Sequence, residues 1–348
     1  MILVMNRKMK SGGILVSGFR NNELFDASSP HNRDDCLLQW RVLKDCFYEN
    51  GIVLDTADVC DESRLDFLIH VDVRTVKRGD PPCFLVVYET PLTWPKNASV
   101  SLESGYRHIF TWDDDVAQSY GGTILRYPQY AKTLPRDTAP KREGLCCMIA
   151  SNKSANAHDS RELYSERIKV IRWFQDNAPE HFDLYGHRWE QPPPSVGRLG
   201  RGLALLIGKS YRFVGYKPFM SYRGPITTKG EVLRRYKFAI CFENAKDFKG
   251  YVTEKIFDCF AAGCVPIYLG ASNIAELVPD DCFIDYRKFS SFSKCYEYIC
   301  SLSDYQLNRY QLAISDFLFS RKAVPFQPVT FAETIVRGVM KANGWMKT

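Results

Sequence analysis

The chain has 348 residues, 45% of them hydrophobic and 25% charged, with a net charge of +6. That length suits two domains of ordinary size, and the composition is that of a globular protein with a real core, not a disordered one. The positive charge is modest and broken into no long runs; it is compatible with anionic small ligands, and no nucleic-acid reader motif accompanies it.

The first third of the chain alternates strand and helix signals. Ile14–Val16 reads as a strand ending in the polar Ser17-Gly18. Asp35 to Glu49 reads as an amphipathic helix, with Leu37, Leu38, Val42, Leu43 and Cys46 inward and Asn50-Gly51 closing it. Ile52–Leu54, Phe67–Ile69, Phe84–Val87 and His108–Phe110 are further short buried strands. The pattern is Rossmann-like, but it lacks the glycine fingerprint of dinucleotide binding, so no cofactor is placed there. Glu89 follows the strand ending at Val87, where a lone carboxylate is most often a loop charge or a helix cap. Asp113-Asp-Asp115 invites a metal-binding reading; a helix cap or a solvent-facing loop is the better one.

Thr133 to Gly144, rich in proline and charge, reads as a linker, dividing the chain into domains 1–142 and 143–348. The last helix, Phe331 to Asn343, is a candidate to pack back on the first domain. Beyond the linker come a strand at Cys146–Ala150, a helix at Glu162–Phe174 carrying Arg167, and a strand and turn at Phe182–Gly186. Gln191 to Ser221, with three consecutive prolines and several glycines, reads as a long irregular loop near the active site.

The densest signal lies between Tyr236 and Gly270. Tyr236–Phe242 is a buried strand, Glu243-Asn244 stands at its carboxyl end, and Thr253 is a candidate N-cap for a helix whose apolar face is Ile256, Phe257, Phe260 and Ala261. Gly263 stops that helix and Val265–Leu269 is the next strand. Lys255, in the first helical turn, opposes the helix dipole, a cost of roughly 0.3–1 kcal/mol unless an anion sits opposite. Helix starts at strand carboxyl ends favour phosphate, so Asn244, Tyr251, Glu254 and Lys255 converge on a site suited to a sugar hydroxyl and a phosphate. The bland reading of Lys255 is a solvated surface lysine.

The twelve cysteines form no CxxC pair and no metal-type spacing, and many lie inside apolar strands or helices. With no apolar segment long enough for a signal peptide or a membrane span, the expectation is a cytoplasmic protein, at most peripheral at the inner membrane. Asn97-Ala-Ser99 and Asn152-Lys-Ser154 match the glycosylation sequon, which has no meaning in a cytosol.

Phe242-Glu-Asn244, Gly250-Tyr-Val-Thr-Glu-Lys-Ile256 and Ala262-Gly-Cys-Val-Pro-Ile-Tyr-Leu-Gly270 together resemble the signature of the α1,3-fucosyltransferases, family 10 of the glycosyltransferases. The likeness extends from about Phe84 to Phe319. It implies a GT-B architecture, two Rossmann-like α/β domains with parallel sheets facing across a cleft, with acceptor on the first and GDP-fucose on the second. It implies inverting transfer of fucose to a hydroxyl of a GlcNAc-containing, N-acetyllactosamine-type glycan, in α1,3 and possibly α1,4 linkage, without a metal cofactor. Glu89 matches the position of the family's proposed general base, and Arg167 its diphosphate-binding arginine, with Arg161 a competing assignment across a gapped loop. Lys255 joins that arginine on the diphosphate, and Glu254 answers the oxocarbenium-like sugar or holds the ribose. A transferase of another nucleotide-sugar and a catalytically silent carbohydrate-binding protein are the alternatives.

Overall fold

A computed structural model describes residues 9–100, 105–128, 142–195 and 197–346. Most of the expected linker, 133–141, lies outside the described residues. The chain divides into two compact units, Met1–Tyr130 with Val324–Thr348, and Ala131–Ala323.

The first unit is built on a six-stranded, wholly parallel sheet in the order β2-β1-β3-β4-β5-β6. Its elements are β1 (Lys10–Leu15), α1 (Leu38–Glu49), β2 (Ile52–Thr56), β3 (Phe67–Val71), β4 (Cys83–Val87), β5 (Tyr106–Thr111), α2 (Asp114–Tyr120) and β6 (Thr123–Ile124). β3 and β4 are buried along their whole length, as a parallel strand covered on both faces must be. The helix expected from Asp35 starts at Leu38, because Asp34 and Asp35 hold left-handed backbone and Asn32 Oδ1 accepts the Leu37 N–H. Its buried stripe is Trp40, Leu43 and Phe47; of the expected inward set, Leu37 and Leu43 are buried in the core and Val42 and Cys46 pack against it.

The second unit carries a five-stranded parallel sheet, order β11-β10-β9-β7-β8. In chain order it has β7 (Gly144–Ile149), α3 (Tyr164–Asn177), β8 (Phe182–Tyr185), α4 (Gly197–Phe213), α5 (Lys229–Leu233), β9 (Tyr236–Phe242), α6 (Glu254–Ala261), β10 (Val265–Leu269), α7 (Ile274–Leu277), β11 (Ile284–Asp285), α8 (Phe292–Ser301) and α9 (Asp304–Leu318). The stretch expected to be an irregular loop, Gln191–Ser221, therefore holds the seventeen-residue α4. Two of its glycines, Gly200 and Gly208, lie on the face where the helix meets the preceding segment, with Ser195 and Gln191 against them.

The last helix, α10 (Pro328–Ala342), belongs to the first unit, not to a continuous domain 143–348. Phe331, Ile335 and Val339, spaced four apart, enter the core formed by Trp40, Phe67 and Phe84. Gly338 brings the helix close to β5: a Cβ there would stand 2.5 Å from the Phe110 ring.

Candidate donor site and its buried carboxylate

The order of the second sheet reverses between β7 and β9. From β7 the chain goes outward to β8, then returns to the other side for β9. Such a switch point opens a crevice at the strands' carboxyl ends, because the connections that follow leave in opposite directions. The residues after β9 are Glu243 and Asn244, and α3, which follows β7, brings Arg167 to them.

Arg167 is buried, and its Nη2 donates to the carbonyls of Phe242 and Glu243, both at 2.7 Å, and to Asn244 Oδ1 at 3.1 Å. Burial lowers the pKa of its guanidinium against the pull of nearby Tyr164 and Glu243. It is thus no surface arginine. Among the described residues its other two guanidinium nitrogens donate to no protein group. Arg161 is fastened elsewhere: its Nε and Nη2 hold both carboxylate oxygens of Asp159, at 3.0 and 2.8 Å, and it stacks over Phe248.

Glu243 is the residue that sequence reasoning passed over. Its carboxylate has no exposure to solvent. Oε1 accepts the Thr253 N–H at 2.8 Å, while Oε2 accepts Thr253 Oγ1 at 2.6 Å and Lys255 Nζ at 3.0 Å. Thr253 is the N-cap of α6, yet its hydroxyl caps no backbone N–H; it is spent on Glu243. Lys255 Nζ also donates to Thr253 Oγ1 at 3.0 Å. The anion that the sequence required opposite Lys255 is therefore supplied from within the chain. Gly270 makes the room: a Cβ there would lie 2.5 Å from Glu243 Cγ.

Burial works against the Lys255 ammonium, but Glu243 and Glu254 outweigh it and raise its pKa. Glu254 is half-exposed, 3.9 Å from both Lys229 and Lys255. Partial burial would raise its carboxyl, but these two cations overcome that and hold it at about 2. Lys229 is itself tied to Asp258 at 2.6 Å. Tyr251 is fully enclosed, and its carbonyl accepts the Tyr268 hydroxyl at 3.4 Å. Arg167, Glu243, Asn244, Thr253 and Lys255 form one bonded cluster with Glu254 at its edge, and the Tyr251 ring lies inside the fold behind it.

Glu89 lies in the first unit, half-buried, on a backbone held from three sides. Asp72, itself in left-handed backbone, accepts the N–H of both Tyr88 and Glu89 on Oδ1 at 2.8 Å. Asn97 donates to that same Oδ1 at 2.8 Å and to the Glu89 carbonyl at 2.7 Å. The Tyr88 carbonyl accepts Trp112 Nε1, and the Tyr88 ring packs on Tyr127 with centroids 4.7 Å apart. Tyr127 thereby braces the residue before Glu89. Asn97 is buried in this network, and Asn152 is buried too, so neither sequon asparagine is accessible to a glycosylating enzyme.

Asp113 is the N-cap of α2, accepting from the N–H groups of Asp115 and Val116 at 3.0 and 3.1 Å, and Asp114 pairs with Arg126 at 2.8 Å. All twelve thiols are free, eight of them buried. No helix of the described residues is long and apolar enough to cross a membrane.

Two parallel-sheet α/β units, with a cation-bearing helix start at the switch point of the second, define a fold of the GT-B glycosyltransferase class. An α1,3-fucosyltransferase solved with GDP-fucose has the same fold, with a TM-score of 0.51 at 16% identity over 100% of this chain and 95% of that one. Anabaena Alr3699/HepE in complex with UDP and glucose is also similar, with a TM-score of 0.55 at 12% identity, covering 95% and 99%. Residues 216–312 match glycosyltransferase family 10 (fucosyltransferase), C-terminal. The chain is 38% identical over 74 residues to the Helicobacter pylori α-(1,3)-fucosyltransferase FucT, which is 21% of this chain and 15% of that protein. It is 42% identical over 72 residues to an Arabidopsis thaliana α-(1,4)-fucosyltransferase, 21% and 18% of the respective lengths. The likeness to glycosyltransferase family 10 in sequence thus rests on residues 216–312, and the solved structures extend it to the rest of the chain as a shared fold. The match spans less than a fifth of the length of either curated relative.

Proposed function

We propose that the protein is an inverting α1,3(/4)-fucosyltransferase that moves fucose from GDP-fucose to a hydroxyl of a GlcNAc-containing, N-acetyllactosamine-type glycan. The observation that carries this reading is the bonded cluster of Arg167, Asn244 and Lys255 around the buried Glu243, at the switch point and within the family-matched segment.

In this reading the donor diphosphate lies against Arg167 and Lys255. Lys255 is fixed by two hydrogen bonds and keeps one ammonium hydrogen for a phosphate oxygen, so it reaches the ligand with little entropy left to lose. Asn244 turns its Oδ1 to Arg167, which leaves its amide nitrogen for the ribose or a phosphate oxygen. Tyr251, being enclosed, contributes by shaping the 250–253 turn. Glu254 stays ionised throughout the physiological range and suits the positive charge that develops on the sugar ring. Glu89 takes the proton of the acceptor hydroxyl as its oxygen attacks the anomeric carbon, and GDP leaves from the opposite face. Charge on the departing diphosphate is met by a guanidinium, an ammonium and a helix start, so no metal is needed. The free thiols, most of them buried, favour a reducing compartment, the cytoplasm.

The test is incubation with a panel of GDP- and UDP-sugars and an N-acetyllactosamine acceptor, with and without excess chelator, read by mass spectrometry. Fucose addition from GDP-fucose alone, undiminished by chelator, is expected. Transfer from a UDP-sugar instead, or activity lost in chelator and restored by manganese, contradicts the reading.

A further inference from the structure

We infer that α4 docks the protein on a membrane surface rich in anionic lipid, an interaction independent of which sugar is transferred. The helix is apolar on the side that faces out. Its inner face is made of Gly200, Ala204 and Gly208, four residues apart, which let the backbone come close to the preceding segment. A Cβ on Gly200 would stand 2.6 Å from Ser195, and one on Gly208 would stand 2.5 Å from Gln191 Cγ. The outer stripe is Leu199, Leu203, Leu206 and Phe213, spaced by four, three and seven residues, with 91%, 57%, 63% and 91% of their surfaces open to solvent. Val214, Tyr216 and Met220 continue the exposed apolar surface beyond the helix end. A helix that only had to cover this fold would carry its leucines on the other face.

Charge identifies the occupant. From residue 191 to 230 there is no aspartate or glutamate, against seven lysines and arginines. Two of these, Arg223 and Lys229, are in ion pairs with Asp183 and Asp258 in the body of the unit. Arg201, Lys209, Arg212 and Lys217 are exposed alongside the apolar stripe. Of these, only Arg212 has an acidic side chain near it among the described residues, Glu190 at 3.9 Å. Large apolar side chains flanked by cations, on a helix that does not cross a bilayer, fit the boundary between phospholipid headgroups and acyl chains. The leucines and Phe213 enter the acyl boundary, and the ammonium and guanidinium groups meet lipid phosphates. The apolar and electrostatic contributions act together, so either alone gives weak attachment.

The experiment is flotation of the full chain with phosphatidylcholine vesicles, with and without phosphatidylglycerol. The wild type should float with the anionic vesicles and be partly released by salt. The double substitution Leu203→Asp with Leu206→Asp should lower partitioning by about tenfold or more. Lys209→Glu with Lys217→Glu should lower it by a similar factor while leaving the helix surface apolar. Both variants should keep wild-type far-ultraviolet circular dichroism and GDP affinity, since none of these side chains supports the core or the donor cluster. Failure of the wild type to float, or flotation of both variants to the same extent as the wild type, overturns the proposal. So does a wild-type mass in light scattering twice that of the Leu203→Asp, Leu206→Asp variant, which would mean that a second copy of the chain covers the stripe.

Discussion

Lys255 Nζ lies 3.0 Å from Oε2 of Glu243, and that carboxylate is entirely shielded from water. The two charges are mutually dependent: the carboxylate tolerates burial because Thr253 and Lys255 satisfy it, and Lys255 tolerates a helix start because of the carboxylate. Truncating Lys255 to methionine should leave an uncompensated buried charge and cost about 3–5 kcal/mol of stability. The double variant Glu243→Gln with Lys255→Met removes both charges and should recover most of that loss. GDP affinity should stay low in both. Denaturant titration and calorimetry on the same samples separate the two effects; recovery of GDP binding in the double variant would show that Lys255 does not touch the nucleotide.

Arg167 is expected to act on stability and on ligand at once. Its Nη2 secures the carbonyls of Phe242 and Glu243, which fixes the end of β9. Arg167→Lys should retain one such contact but not the fork, and should weaken GDP binding by about 1.5–3 kcal/mol. Arg161→Ala should leave GDP affinity near wild type, because Arg161 is occupied by Asp159. Calorimetry giving the reverse order would move the diphosphate contact to Arg161.

The first unit carries a pH dependence of its own. His70 is buried on β3 with Nδ1 2.9 Å from the Tyr106 hydroxyl; burial, helped by Arg74, lowers its pKa from 6.5 to about 4. A base whose pKa is depressed in the folded state binds fewer protons there than when unfolded. Its neutral form costs nothing above pH 6.5, and stability declines as pH falls from there through about 4. The full decline is about 3 kcal/mol. Chemical denaturation at pH 7 and at pH 4.5 should show a smaller difference for His70→Gln than for wild type. Equal differences would mean that His70 is protonated as readily folded as unfolded.

What could be read from the sequence follows the range of the interactions involved. The β9–α6–β10 unit was legible because a buried strand, a helical apolar stripe and a terminating glycine are local patterns. Lys255 announces its partner as a missing anion, but nothing local marks the strand-end carboxylate of Glu243 as the buried one. The signal was there in two parts: a threonine N-cap with a lysine two residues on, and Gly270 after the neighbouring strand. That the last helix could pack back on the first domain is a candidate the sequence offers, but its partners there, Trp40, Phe67 and Phe84, are too distant in the chain for any local window to name. The α4 helix was lost for a different reason. Gly200 and Gly208 are packing residues, not breakers, so the glycine and proline content of the stretch suggests a loop, while the helical spacing of Leu199, Leu203 and Leu206 is the signal that marks the helix.

Glu89 offers the sharpest test of the proposed chemistry, because its surroundings argue for a held position instead of a drifting loop. Asp72 takes the N–H of Tyr88 and Glu89, and Asn97 bonds both Asp72 and the Glu89 carbonyl, so the backbone is fixed whatever the side chain is. Glu89→Gln should therefore fold with wild-type stability. GDP affinity should be unchanged, since every residue of the donor cluster belongs to the other unit. A general base contributes on the order of 10²–10⁴-fold, and acceptor-dependent turnover should fall by that factor. Asn97→Ala, which frees the Glu89 carbonyl but keeps the carboxylate, should give a smaller loss of turnover. Steady-state rates that place Asn97→Ala below Glu89→Gln, or that leave Glu89→Gln near wild type, would show that the network serves the fold alone and that the proton goes elsewhere.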